Sequence, residues 1–382
     1  MKIRYMLLHA YGLGGTIRTV INQANAMTAR GHEVEVVSVV RRREKPQFTI
    51  DPRVRLTSLV DQRQEIAADS LGRKAWRRLR GKIVPAGEYA AGYFTERVER
   101  AVIDYVAGLE DGILVTTRPA LNLISARKAQ AGVVRVGQEH MNLGTYPASV
   151  REQITRHYGR LDALATLTGT DRDDYQPLLP GTLVVRVPNA VHGGDQKPSE
   201  QHNPIVIAAG RLVSQKGFDF LIPAFRQVAD RHPAWRLHIY GSGPKKERLT
   251  ALIEEHGLDG HVVLKGRTDR LDERLAEASV YVLSSRFEGL PMVMIEAMTH
   301  SLPVVAFDCP TGPADVLTPE VDGLLVPPRD VDALAAGLNR LIADRDLRLR
   351  MGAAAAVTAR AYTPEVVTPM WEDLFTSLLR DR

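Results

Sequence analysis

Two carboxylates, Glu288 and Glu296, stand with seven residues between them in the stretch Glu288-Gly289-Leu290-Pro291-Met292-Val293-Met294-Ile295-Glu296-Ala297-Met298. The first lies in a turn carrying Gly and Pro, the second inside the apolar helix that the turn opens. A helix start offers free backbone N–H groups and the positive end of a dipole, which suits a phosphate. Carboxylates beside such a site repel phosphate and suit the hydroxyls of sugars around it. One at the loop and one along the helix would hold two sugars across a diphosphate, which describes a nucleotide-sugar. On spacing alone, the same stretch also fits a strand, a tight turn and a buried helix.

A cationic pair complements this reading. Gly210-Arg211-Leu212-Val213-Ser214-Gln215-Lys216-Gly217 follows an apolar run at 205–209 and sets Arg211 and Lys216 five residues apart in a loop. An Arg fork and a Lys point charge suit a diphosphate, although such pairs also occur on solvated loops. Tyr240-Gly241-Ser242-Gly243-Pro244 ends another run, where glycine permits close approach of a ligand. In Gln138-Glu139-His140-Met141-Asn142, His140 ends a strand and could meet a sugar hydroxyl. A lone His is more often structural. Glu139 is a further polar candidate, and Arg118 in Thr117-Arg118-Pro119 is a candidate for an acceptor phosphate. Gly12-Leu13-Gly14-Gly15-Thr16 lacks the third Gly of G-x-G-x-x-G, and no acidic residue ends the next run, so a dinucleotide fingerprint is not supported. Asp171-Arg172-Asp173 has Asp-x-Asp spacing without a metal-binding context, and no metal is expected.

These residues need a scaffold. Short apolar runs at 3–8, 34–40, 113–116, 133–136 and 163–167 alternate with helical patterns, including one at 16–30 that Gly31 ends. The pattern restarts after residue 204, with strands at 204–209, 235–240, 261–264, 280–284 and 303–307 and helices between them. A long helical stretch follows at 331–361, then a last helix at 364–379. Alternating strands and helices imply parallel sheets covered on both faces. Residues 188–198 are polar and rich in Gly and Pro, the composition of a linker. Two α/β domains facing a cleft are therefore expected, with ligands beyond the carboxyl ends of the strands.

Composition agrees. A chain of 382 residues with 44% hydrophobic content suffices for two cores. The single Cys309 excludes an internal disulfide framework and fits a reducing, cytoplasmic setting. No apolar run reaches membrane-spanning length. The net charge of +5 is uneven. Residues 70–84, with Arg73, Lys74, Arg77, Arg78 and Arg80 and an apolar face of Trp76, Leu79 and Ile83, read as a basic helix. That helix suits either an anionic membrane surface on the inner face of the cell or a polyanionic acceptor. Sparse aromatics and the absence of a recognition motif argue against nucleic acid. Oligomeric state is not legible.

The motifs resemble those of retaining glycosyltransferases of family 4, which have the GT-B fold of two doubly wound Rossmann-like domains. Glu288-Gly289-Leu290-Pro291 with Glu296-Ala297-Met298 resembles that family's E-x7-E signature, and Gly210 to Gly217 its G-R-L-x-x-x-K-G segment. The resemblance implies that Glu288 contacts the donor sugar, Glu296 the ribose, and Arg211 and Lys216 the diphosphate. It places Gly289 and Leu290 in the donor site, Gly14 and Gly15 over the diphosphate, Gly241 near the donor, Gly266 and Arg267 beside the base, and His140 near the sugar. Asp308 to Pro313 resembles the branch that builds bacterial polysaccharides and teichoic acids. The implied domains are an acceptor-side domain at 1–190 joined by a returning helix at 363–382, and a nucleotide-sugar domain at 200–362. The implied reaction is transfer of a hexose or N-acetylhexosamine from a UDP-sugar to a hydroxyl, on a cell-wall polymer or lipid-linked glycan, with no further cofactor. An epimerase of the same fold and a non-catalytic nucleotide-sugar-binding protein are the alternatives.

Overall fold

The structure, a computed structural model, describes residues 1–63, 83–191 and 196–380. The basic segment at 70–84 therefore lies outside the described residues except for its last two positions. The chain divides into two compact units, Met1–Ala190 with Val367–Arg382, and Val191–Val366.

In the first unit, β1 (Lys2–Leu7), β2 (Glu33–Arg41), β3 (Arg55–Asp61), β4 (Ile113–Thr116), β5 (Val134–Gln138), β6 (Ala163–Thr166) and β7 (Leu183–Arg186) form one parallel sheet in the order β3-β2-β1-β4-β5-β6-β7. Its helices are α1 (Gly15–Ala29), α2 (Glu96–Ala107), α3 (Pro119–Lys128), α4 (Ala148–His157) and α5 (Gly169–Tyr175). Successive strand side chains point to opposite faces, and β1 shows it. Ile3, Tyr5 and Leu7 pack with Val20, Ala24 and Met27 of α1, whereas Met6 packs with Val98 and Val102 of α2 and Leu121 and Ile124 of α3. Thr168 caps α5: its Oγ1 accepts from Asp171 N at 3.0 Å and donates to Asp171 Oδ2 at 2.8 Å, a capping arrangement. The Asp-x-Asp spacing at 171–173 thus starts a helix.

In the second unit, β8 (Ile205–Ala209), β9 (Arg236–Tyr240), β10 (Val262–Gly266), β11 (Val280–Leu283), β12 (Val304–Phe307) and β13 (Gly323–Val326) form a parallel sheet in the order β10-β9-β8-β11-β12-β13. Helices α6 (Phe218–Arg231), α7 (Lys246–Glu255), α8 (Leu271–Glu277), α9 (Met292–Thr299), α10 (Pro313–Val316), α11 (Val331–Ala343) and α12 (Arg345–Ala359) surround it. Leu221, Ile222 and Phe225 of α6 share a core with Leu334, Leu338 and Leu341 of α11. The stretch read as one helix over 331–361 is two helices. Asp344 breaks it, because its carboxylate accepts from Leu347 N at 2.8 Å and caps α12.

The last helix, α13 (Pro364–Arg380), lays Val367, Trp371, Leu374, Phe375 and Leu378 into the core of the first unit. Its Glu372 accepts from Arg30 Nε at 2.6 Å and lies 2.8 Å from His32 Nε2.

Candidate active site

In the second sheet the strand order reverses direction between β8 and β11. Open α/β sheets bind ligands at such a switch point, beyond the carboxyl ends of the strands. The two loops that leave this point are 210–217 and 284–291, and they are laced together. Gln215 Nε2 donates to Phe287 O at 3.1 Å, Arg286 N to Gln215 O at 2.7 Å, and Ser284 Oγ to Lys216 O at 3.0 Å. The lacing places the Lys216 ammonium 2.6 Å from Glu288 Oε1. Ser285 Oγ donates to the same oxygen at 2.5 Å. Glu288 is fixed through its backbone as well, its N donating to Pro310 O at 2.9 Å and its O accepting from Thr311 N at 3.1 Å. The Glu288 side chain is 6% exposed and that of Lys216 18%.

Gly217 permits this arrangement. Its φ is +61°, and a Cβ there would lie 1.9 Å from Ser284 O. Gly217→Ala is expected to separate the two loops and to cost more than about 2 kcal/mol, since both the left-handed backbone and the contact disfavour a side chain. Urea denaturation reads the loss. A variant as stable as the parent would show that the loops are not clamped there.

The neighbouring loops are equally close. Gly241 has φ +143°, and a Cβ on it would meet Gly210 O at 1.8 Å, while its N donates to Gly266 O at 2.8 Å. Gly210, Gly241 and Gly266 thus join the loops after β8, β9 and β10. Arg211 is exposed, with Gln215 Oε1 at 3.4 Å, and Arg267 is also exposed. Glu296 is buried on α9, a helix otherwise packed with Met294, Ile295, Ala297 and Met298. Burial, then the charges of Glu288 and Glu296, push the Tyr281 phenol upward, so both carboxylates act on a side chain of β11. Gly289 and the buried Leu290 lie between them in the chain. Cys309 is buried nearby, its thiol pushed up to about 12 by burial and then by Glu288. It stays a protonated thiol.

In the first unit, Gly14 and Gly15 are exposed where β1 gives way to α1. His140 lies two residues beyond β5. It keeps some exposed surface, but its Nε2 is buried without a hydrogen-bond partner among the described residues. Burial, aided by Arg118, lowers its pKa to about 4, so the imidazole is neutral near pH 7.

The two acceptor-side candidates are committed elsewhere. Glu139 points inward. Its Oε1 accepts from Asn122 Nδ2 at 2.8 Å and Tyr158 OH at 2.6 Å, and its Oε2 from Tyr146 OH at 2.6 Å. Arg118 pairs with the buried Glu88, Nε and Nη2 lying 2.9 and 2.7 Å from one oxygen. Neither partner set is local in sequence, so spacing carried no signal of it. Glu88 and the two tyrosines were missed for the same reason, whereas Ser285 stands three residues from Glu288 and was missed because spacing does not say which way its hydroxyl turns.

Burial outweighs these donors and raises Glu139 from 4.5 to about 7. A carboxyl with a raised folded pKa contributes stability that is fully present below its unfolded value. That contribution is lost as pH rises through the folded value. Between about pH 5 and pH 7.5 the protein should therefore lose stability on the order of 3 kcal/mol that Glu139→Gln does not lose. Urea midpoints at both pH values test this, and parallel pH profiles would refute it.

The comparisons with known proteins accord with this geometry. Residues 195–358 match the family of group 1 glycosyl transferases. An amylovoran biosynthesis glycosyltransferase of Erwinia amylovora is 30% identical over 249 residues, which are 62% of this chain and 68% of that protein. The chain belongs to the glycosyltransferases. An exopolysaccharide phosphotransferase of Streptomyces coelicolor is 33% identical over the whole of this glycosyltransferase, which spans 41% of that relative's length. Among solved structures, S. aureus TarM in complex with fondaparinux, alpha-GlcNAc-glycerol and UDP matches with a TM-score of 0.80 at 17% identity, over 98% of this chain and 100% of that one. The glycosyltransferase thus has two parallel-sheet, Rossmann-like units of the GT-B fold.

Among the described residues no helix is long and apolar enough to cross a membrane.

Proposed function

We propose that this glycosyltransferase moves a hexose or N-acetylhexosamine from a nucleotide-sugar to an acceptor hydroxyl with retention of configuration, in the manner of family 4. The observation that carries the reading is the Lys216–Glu288 pair at the switch point of the second sheet, with Glu296 buried in the helix that follows. Glu288 would accept from hydroxyls of the transferred sugar and Glu296 from the ribose. Arg211 and Lys216 would neutralise the departing diphosphate, where charge develops and fixed cations act most strongly. Gly266 and Arg267 would border the base, and Gly14 and Gly15 the diphosphate.

In the reaction the acceptor oxygen bonds to the anomeric carbon on the face from which the phosphate oxygen leaves. The C–O bond breaks with its electron pair going to the phosphate, and that oxygen takes the acceptor's proton. The neutral His140 would hold a sugar hydroxyl rather than supply charge. The cations occupy the role a metal plays elsewhere, so neither metal nor other cofactor is required.

UDP is the favoured nucleotide, since S. aureus TarM was crystallised with it. The exopolysaccharide relative favours a polymer acceptor, and a lipid-linked glycan is the other acceptor class proposed. The test is release of free nucleotide from UDP-, GDP- and ADP-sugars, with and without EDTA, and assignment of the product anomer by NMR. Turnover that EDTA abolishes and manganese restores would overturn the leaving-group account. Binding without nucleotide release would favour the non-catalytic alternative.

A further inference from the structure

The second unit carries another cationic site that this reaction leaves unused. A cavity of ≈ 210 Å³ opens beside the 210–217 loop, bounded by Ser214, by Phe218 and Asp219 of α6, by Lys245 and Arg248 of α7 and its cap, and by Arg286. Of its four charges, two cancel. Arg286 Nη1 and Nη2 donate to the two oxygens of Asp219 at 2.8 and 2.7 Å. Arg286 also donates to Ser214 O at 2.6 Å and lies over the Phe220 ring, 4.3 Å from its centroid. That pair is a rigid wall.

Lys245 and Arg248 leave the cavity with an excess of positive charge, although Arg248 also acts electrostatically on Asp219. Neither has an ion-pair or side-chain hydrogen-bond partner among the described residues, and Lys245 is half-buried. Both sit at the N-terminal end of α7, where the helix dipole disfavours cations. Glu247, the acidic residue of that turn, does not line the cavity. Two cations held against a dipole, around a space with a rigid floor, suit an anion with several acceptor oxygens.

We propose that this cavity binds a phosphate group carried by the acceptor, apart from the donor diphosphate. The assignment to the acceptor rests on the glycosyltransferase reading; the anion site itself does not.

Calorimetry on the whole chain tests it with three probes: inorganic phosphate, a glycerol phosphate oligomer and UDP. The parent should bind the oligomer. Lys245→Glu with Arg248→Glu should weaken that binding at least about tenfold, as loss of charge-assisted hydrogen bonds predicts, and Lys245→Gln with Arg248→Gln should weaken it less. UDP affinity should stay within about twofold of the parent. Oligomer binding that both variants retain would overturn the site. A parallel fall in UDP affinity would make the cavity part of the donor site and overturn its separateness. Inorganic phosphate binding as tightly as the oligomer would overturn the assignment to the acceptor. Failure of the parent to bind UDP would instead strike the proposed UDP donor. Circular dichroism checks the fold of each variant, and the glutamine pair answers if the glutamates do not fold.

Discussion

Replacing Lys216 by Ala is expected to lower kcat by about 100-fold or more, the usual cost of removing one preorganised contact to charge that develops in the transition state. Arg211→Ala should do the same. The two differ in what they leave behind. Lys216 is 2.6 Å from a Glu288 carboxylate that is nearly buried, so its loss leaves a buried charge short of its cation. Breaking a buried pair in this way costs roughly 3–5 kcal/mol, and the 18% exposure of Lys216 puts the expected loss at the lower end. Arg211 is exposed and touches only Gln215 at 3.4 Å in the described structure, so its removal should spare stability. Adding Glu288→Gln to Lys216→Ala should restore stability but not turnover. The measurements are kcat and urea midpoint for each variant. Near-normal turnover in both single variants would show that the loop does not hold the leaving group.

The two carboxylates are expected to fail differently. Glu288 would touch the transferred sugar, whose position changes as the bond breaks. Glu288→Ala should therefore lower kcat, by about 100-fold if its contact strengthens in the transition state. Its loop should survive, because the backbone of Glu288 keeps its bonds to Pro310 and Thr311. Glu288→Gln should recover part of the rate if hydrogen bonding rather than charge is the role. Glu296 would hold ribose hydroxyls alike in ground and transition states, so Glu296→Ala should raise the donor KM about tenfold with kcat little changed. A full donor titration of each variant, with fold checked by circular dichroism, separates the outcomes. The reverse pattern would mean that the nucleotide-sugar lies the other way round.

Much of the scaffold was legible because central parallel strands are buried on both faces and read as continuous apolar runs. β1, β2, β4, β5 and β6 were found this way in the first unit, and β8, β9, β11 and β12 in the second. The strands missed were β3, β7 and β13, and all three lie at sheet edges; the fourth edge strand, β10, was read from its apolar run at 261–264. Arg55–Asp61 is mostly half-buried and mixed in polarity, and β7 and β13 are four residues long. An edge strand packs against one neighbour and needs no unbroken apolar run, so its pattern fades into that of a loop. The false continuity of 331–361 had the opposite cause. Helical periodicity persists across Asp344, and only the turn of its carboxylate onto Leu347 N ends one helix and starts the next.

The residue types of the site, and the glycines that let its loops approach, were determined by the sequence itself. Glu288, Glu296, Arg211 and Lys216 stand in short local strings at the ends of apolar runs, and their chemistry is local. Which charge meets which was decided only by tertiary structure. Lys216 and Glu288 are 72 residues apart and meet because β8 and β11 are neighbours in the sheet. Glu139 and His140 are adjacent in sequence, yet one turns into a cage of Asn122, Tyr146 and Tyr158 while the other keeps some exposed surface. Arg118, taken from its position as an acceptor ligand, is held by Glu88, which lies 30 residues earlier. Local spacing encodes what a side chain is able to do. Its partner is set by strand order and burial, which long-range packing alone determines.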